Sequence, residues 1–254
     1  MQIYRDVGLL VQSMARTFLK ARWENLIMAN YSIDPTILLP YLPAGVELDL
    51  YDGKAYVSLV GFMFKRSRIF NIPIPFMGTF EEVNLRFYVK RKVDGTYRRG
   101  VVFINETVPY KPVAWLANKL YKEHYIAIPT KHQITAGPQI KSVRYDWKVG
   151  HSWNHIEVNA STSPREMLRG SLEEFIFEHY YGYTRLSLSE SQEYKINHPR
   201  WQVNDVIDSM IHCDFEKMYG PAFSTMNNQT ADAVIIAEGS DISVDWQRKK
   251  FIHT

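Results

Sequence analysis

Phe80-Glu81-Glu82-Val83-Asn84-Leu85-Arg86-Phe87-Tyr88-Val89 is the stretch whose reading decides the fold. Its residues separate with a period of two, which is the signature of a strand. Val83, Leu85, Phe87 and Val89 make one face, and Glu82, Asn84, Arg86 and Tyr88 make the other. Gly78-Thr79 before it and Lys90-Arg91-Lys92-Val93-Asp94-Gly95 after it bound the strand on both sides. The polar face sets a carboxylate, an amide, a guanidinium and a phenol in one row, about 7 Å apart. Such a row is either the wet face of an antiparallel sheet or the floor of a pocket.

The neighbours extend the same pattern. Past a turn at Asp94-Gly95, residues 100–108 read as a second strand, with Val102, Ile104, Glu106 and Val108 on one face. Glu106 is the single charge on that face, so it sits either at a wet strand end or buried with a partner, because an unpaired buried charge costs several kcal/mol. Upstream, residues 46–50 and 55–64 form a hairpin about Asp52-Gly53. The second of these strands is apolar on both faces, which places it centrally in a sheet. Residues 69–77, with Pro73 and Pro75, form a loop able to overhang a pocket mouth.

Further out, residues 26–31 read as a strand, and Asp34-Pro35 caps a short helix. Pro109 and Pro112 introduce a helix over residues 113–121, whose inner face carries Val113, Leu116, Ala117 and Leu120. Strands follow near 133–136, 142–149 and 153–160. Ser171-Leu172-Glu173-Glu174 is a capping box that opens a helix over 172–181, stopped by Gly182. Strands at 183–188 and 192–197 lead to His198-Pro199-Arg200-Trp201. Residues 203–214 read as a strand or a short helix, 231–238 as a buried strand and 242–246 as a weaker one.

The 254 residues show no repeat, low-complexity tract or linker, which predicts a single domain over 1–254. Leu9, Leu10, Met14 and Phe18 are spaced along one side of a helix, so residues 1–22 are expected to be an N-terminal helix packed on the body. Net charge is only +3 with scattered basic residues, unlike a nucleic-acid binder. Lys90, Arg91, Lys92, Arg98 and Arg99 gather at one hairpin end and read as a solvated loop. One cysteine, Cys213, leaves no internal disulfide and fits a reducing, cytoplasmic setting. Nothing approaches a cleavable leader or a transmembrane run, so no membrane partner is expected.

Eight histidines invite a test for zinc. HExxH is absent, and His151 and His155 would not share a helical face, so no metal is expected. There is no GxSxG elbow, His212 points away from Cys213 in a strand, and no phosphate-cradling glycine loop occurs. No cofactor is expected. What remains is an acid–base set of Glu82, Arg86 and Glu106 from neighbouring strands, with Asn84 and Tyr88 beside them as ligand contacts. An arginine between two carboxylates would hold both ionised and could clamp a substrate carboxylate. The same three residues could equally form a structural ion-pair network.

Tyr31-x-Ile33-Asp34-Pro35, Leu42-Pro43-x-Gly45-Val46-Glu47 and Tyr51-Asp52-Gly53 resemble the start of the YqjF-like family of conserved proteins of unknown function. Glu82-Val83-Asn84-Leu85-Arg86-x-Tyr88-Val89 resembles its central strand. Gly100-Val101-Val102-Phe103, Gly170-Ser171-Leu172-x-Glu174-Phe175, Glu178-His179-Tyr180-x-Gly182-Tyr183 and His198-Pro199-x-Trp201 continue it in order, from Trp23 to about Gly220. The resemblance implies an α+β, mainly antiparallel fold similar to acetoacetate decarboxylase, a cone-like barrel with peripheral helices and a central cavity. It places Glu82 about where those decarboxylases carry an active-site glutamate. Those enzymes use two adjacent lysines, one as a Schiff base. Here Leu120-Tyr121-Lys122-Glu123-His124 offers one lysine beside an acid, and Glu24 stands roughly where they carry an arginine, so decarboxylation is not carried over.

The sequence therefore predicts a protein that binds, and on the enzyme reading transforms, a small carboxylate- or carbonyl-bearing molecule in a cavity lined by Glu82, Asn84, Arg86, Tyr88 and Glu106. One alternative is a non-catalytic binding or scaffold protein with a closed ion-pair network. Another is a Schiff-base lyase using Lys122, which requires that lysine to be buried. Self-association is left open.

Overall fold

The structure is a computed structural model that describes residues 17–246 and 248–252. Long alternating segments build it, because strands with two buried faces must be covered on both sides. The chain runs β1 (Thr17–Ile33), α1 (Pro35–Leu38), β2 (Glu47–Leu48), β3 (Ala55–Ile69), β4 (Ile72–Pro73), β5 (Phe80–Val93) and β6 (Thr96–Val108). Next come α2 (Lys111–Tyr121), β7 (Tyr125–Ala127), β8 (Thr130–Ala136), β9 (Ile140–Val149), β10 (Ser152–Glu166), α3 (Leu172–Phe177), β11 (Tyr181–Arg185) and β12 (Glu190–Asn197). β13 (Gln202–His212), α4 (Phe215–Tyr219), β14 (Ala233–Asp245) and β15 (Lys249–Ile252) complete it. The strands join one mainly antiparallel sheet in the order β15-β12-β11-β6-β5-β3-β1-β14-β13-β10-β9-β8. β12 also pairs with β14 at Ile196–Val244 and Asn197–Ser243, so the pairings that leave β12 through β11 return to it through β14.

β3 lies between β1 and β5, the central place that its apolar faces require. Two hydrophobic clusters occupy the two sides of this part of the sheet. Val57, Leu59, Val83, Leu85 and Phe87 pack with Tyr145, Trp147, Ile156 and Val158 of β9 and β10. Val60, Phe62, Phe64, Phe80 and Phe103 belong to the other cluster, with Phe18, Leu26 and Tyr121.

Several expected boundaries move. Residues 1–16 of the expected N-terminal helix lie outside the described residues, and from Thr17 onward the chain is strand. Phe18 still turns inward, but as a strand residue in the aromatic cluster. The helix expected over 172–181 ends at Phe177, because Tyr180 N–H donates to Arg99 O and β11 then pairs with β6 in parallel. Of residues 203–214, those through His212 resolve as strand β13, and the two strands expected at 231–246 are one, β14. The basic hairpin end is not simply solvated: Arg91 and Arg98 bind the buried Glu193, and Arg99 Nε donates to Asp49 at 2.6 Å.

One correction matters for the site. Val102, Ile104, Glu106 and Val108 do not share a face, because the β5–β6 register shifts after Leu85: Asn84 pairs with Glu106 and Leu85 with Asn105, but Arg86 pairs with Phe103. A bulge puts one extra residue on β6 and reverses the parity beyond it. Val102 and Ile104 stay in the closed core, while Phe103 and Glu106 turn to the opposite side.

Candidate functional site

On that opposite side the sheet encloses a cavity of about 270 Å³. Its walls are mostly aromatic and aliphatic, with Trp23, Phe62, Phe64, Phe80 and Phe103 prominent. Val113, Leu116 and Ala117 of α2 cover it, joined by Ile69, Ile74 and Met77 of the loop expected to overhang the mouth. Polar groups enter from five places. Glu82, Asn84 and Arg86 come from β5, Glu106 from β6, Tyr125 from β7 and Tyr194 from β12, and Glu123 lies between α2 and β7. Parallel pairing of Glu106 with Tyr125 brings β6 and β7 together.

The three carboxyls are buried, at 2% exposure for Glu82 and Glu106 and 7% for Glu123. Glu82 accepts from Asn84 Nδ2 at 2.9 Å and from the Tyr125 hydroxyl at 3.1 Å. The same phenol also contacts Glu106. Glu123 Oε1 accepts from Thr184 Oγ1 and from the Tyr194 hydroxyl, both at 2.8 Å. Tyr194 reaches this position because Gly182 opposes it: a Cβ there would lie 2.1 Å from the Tyr194 ring.

Burial lifts the Glu82 carboxyl to about 7; its hydrogen bonds and the Arg86 charge pull against the rise, while nearby Glu123 adds to it. Glu123 is likewise lifted to about 7 by burial, opposed by Thr184 and Tyr194. Glu106 is pushed well above the usual carboxylate range, first by burial and then by the charges of Glu123 and Glu82. Removal from water penalises the charged form, and like charges on one site penalise it again. Burial and its charged neighbours thus favour the protonated form of Glu106, and Glu82 is poised to exchange a proton.

The ion-pair network between Arg86 and the two glutamates is not formed among the described residues. Arg86 Nη2 instead meets Met28 Sδ at 3.5 Å, and its Cζ lies 5.7 Å from the centre of the Tyr88 ring. Arg86 Nε, Glu106 Oε2 and Asn84 Oδ1 are buried without a hydrogen-bond partner, and all three residues line the cavity. Buried polar groups are nearly always paired, so three orphans on one wall mark a place built for a ligand's polar atoms or for water.

Tyr88 is not among the lining residues. Its hydroxyl and Ser58 Oγ lie 2.5 Å apart, and its ring packs on His179 at 4.8 Å. The left-handed Lys122 (φ 59°) closes α2 and is exposed, whereas Glu123 turns inward. A Schiff base at the exposed Lys122 has no access to the cavity, and no lysine lines it among the described residues. The carboxyl that looked like a modifier of Lys122 is itself a cavity group. Cys213 is buried, with its thiol pushed up by burial, so it offers no nucleophile. No group of residues able to hold a metal occurs among the described residues.

Glu123, Tyr125 and Tyr194 were missed in the sequence. Glu123 and Tyr125 are two apart, the spacing that shares a strand face, but the turn after α2 hid that parity. Tyr194 could have been found only through its pairing with Gly182.

The family model for DUF2071, described as an uncharacterized conserved protein, matches residues 20–241. The uncharacterized protein YqjF of Bacillus subtilis (strain 168) is 36% identical over 75 residues, which is 29% of this chain. That match spans only 31% of the relative's own length. Among solved structures, an acetoacetate decarboxylase-like enzyme from Sphingomonas wittichii RW1 superposes with a TM-score of 0.63 at 12% identity, covering 94% of each chain. Acetoacetate decarboxylase from Legionella pneumophila gives 0.61 at 11% identity, over 90% of this chain and 85% of that one. The enduracididine biosynthesis enzyme MppR, complexed with pyruvate, gives 0.62 at 11% identity over 94% and 93%. At such identities these likenesses establish a shared fold.

Proposed function

The chain belongs to the DUF2071 family of uncharacterized conserved proteins, and from that premise we propose that it binds a small carboxylate- or carbonyl-bearing molecule with an apolar body and performs acid–base chemistry on it without a Schiff base. The observation that carries this reading is the trio of unpartnered buried atoms, Arg86 Nε, Glu106 Oε2 and Asn84 Oδ1, around one apolar cavity. Arg86 has no carboxylate partner among the described residues and can take the ligand's. Glu106, whose protonated form burial and the neighbouring carboxyls favour, donates its proton to the ligand's carbonyl oxygen. Glu82, near 7, accepts a proton from the adjacent carbon, so the carbonyl becomes an enol with atoms and charge in balance. The cone-like barrel belongs to the same proposal, supported by the strand pairings that return from β14 to β12. Pyruvate in the similarly folded MppR supports a small keto acid as the first probe.

The test is solvent deuterium exchange at the carbon next to the keto group of aryl and alkyl keto acids, followed by NMR, alongside calorimetric binding. Exchange should depend on protein, fall at least about tenfold in Glu82→Gln and in Glu106→Gln, and persist after borohydride treatment. Binding without exchange would reduce the protein to a carrier. Absence of binding to wild type, or equal binding by Arg86→Met, would overturn the reading altogether.

A further inference from the structure

The cavity does not end at its mouth. Ser67 and Ile74 line it and also line a second, open pocket formed by Arg66, Arg68, Pro73, Phe76, Gly78 and Thr79. The side chain between the two spaces is Ser67, buried at 3% exposure, and its Oγ has no hydrogen-bond partner. Resting on the function proposed above, we propose that this outer pocket binds an anionic group at the far end of an elongated ligand. Such a ligand has a carbonyl or carboxyl at Arg86 and Glu106, an apolar middle, and a carboxylate or phosphate at Arg66 and Arg68.

The backbone is shaped for this. The β1–β3 register shifts between the pairs Lys20–Arg68 and Arg22–Lys65, so Arg66 and Ser67 sit in a bulge. Arg66 holds a left-handed φ of 54°, and Phe70, Asn71 and Phe76 beyond it are also left-handed. Half of the eight described non-glycine residues with positive φ thus fall in this short segment. Backbone held in costly conformations gathers at ligand clamps, and bulges re-aim side chains beside sites. The bulge puts Ser67 inward and Arg66 and Arg68 outward, and Ser67 is held by its N–H to Gly78 O at 2.9 Å and by Ile74 N–H to its own O at 3.2 Å.

Charge agrees. Lys20, Arg22, Lys65, Arg66 and Arg68 lie together on neighbouring strands against two carboxylates, Glu24 and Asp241. Glu24 is taken by Arg22 and Lys65 at 2.7 and 2.5 Å. Asp241 is shared by Arg66 at 3.2 Å and Arg22 at 3.7 Å. Arg68 has no ion pair among the described residues. A rim with excess cations attracts an anion, and salt screens that attraction.

Calorimetry with linear monocarboxylic acids, the α,ω-dicarboxylic acids of equal length and the matching ω-phosphorylated acids tests the subsite. At one chain length the second anion should tighten binding about five- to tenfold over the monoacid, and that ratio should shrink as salt rises. In Arg66→Gln/Arg68→Gln the ratio should fall to about one. A phosphate arm tighter than the carboxylate arm would name the phosphate ester as the source. Monoacids that bind while no second anion helps at any length would overturn the outer subsite alone. A ratio unchanged by salt and by the double variant would do the same. No binding of any acid to wild type would remove the inner reading and the subsite with it.

Discussion

The two faces of β5 come from alternate residues of one strand, yet they reach opposite physical states. Val83, Leu85, Phe87 and Val89 have 0% exposure and meet Tyr145, Trp147, Ile156 and Val158 in a filled core. Glu82, Asn84 and Arg86, offset by one residue, line an enclosed space with polar atoms left unbonded. The difference is what lies opposite. β9 and β10 bring large rings down onto one face, whereas α2 and the loop after β3 span the other without filling it. One face holds the molecule together, and the other spends some of that stability on a site.

Leu85→Ala probes the filled face and should have the largest effect. A buried leucine cut to alanine loses its transfer energy and leaves a hole, at about 3 kcal/mol. Denaturant melts should show that loss, with pH having little influence on it. A cost under about 1 kcal/mol would mean that this core is looser than its burial indicates.

Glu106→Gln probes the open face through pH. The three carboxyls carry folded values raised above the ordinary ones, so the folded state holds protons that the unfolded chain releases. Their contribution is fully present below about pH 4, and stability falls as pH rises from there through 7. Of order 1–3 kcal/mol should be lost for Glu82 and for Glu123 across that window. Thermal melts of wild type should therefore be higher at pH 5 than at pH 8, and Glu106→Gln should flatten the slope. Buried His179 and His198, both lowered to about 4, act in the opposite sense, so a slope that Glu106→Gln leaves unchanged would contradict the buried-acid arrangement.

Arg86→Met has the smallest expected effect on stability. With no carboxylate partner to strand, the change should stay within about 1 kcal/mol while carboxylate binding is lost. A loss of 3 kcal/mol or more would show that Arg86 compensates Glu82 and Glu106 directly, as in a buried ion pair.

Much of this was legible in the chain. The period-two reading of residues 80–89, the turns at Asp52-Gly53 and Asp94-Gly95, the doubly apolar strand from Ala55 and the capping box at Ser171 are local signals, and each is governed by residues within a few positions. They brought out the antiparallel sheet, the candidate wall of Glu82, Asn84 and Arg86, and the loop above the mouth. They misplaced the end of α3 because pairing of β11 with β6 outcompeted the helical signal through Tyr181, a contact 81 residues away in the chain. Parity along one strand determined which side chains leave together, since successive side chains must point oppositely. Which of those faces would be filled, that a bulge would carry Glu106 across to the other side, and that Glu123, Tyr125 and Tyr194 would converge there were decided by tertiary structure alone. Register and packing depend on partners distant in sequence, and no local pattern encodes where those partners come to rest.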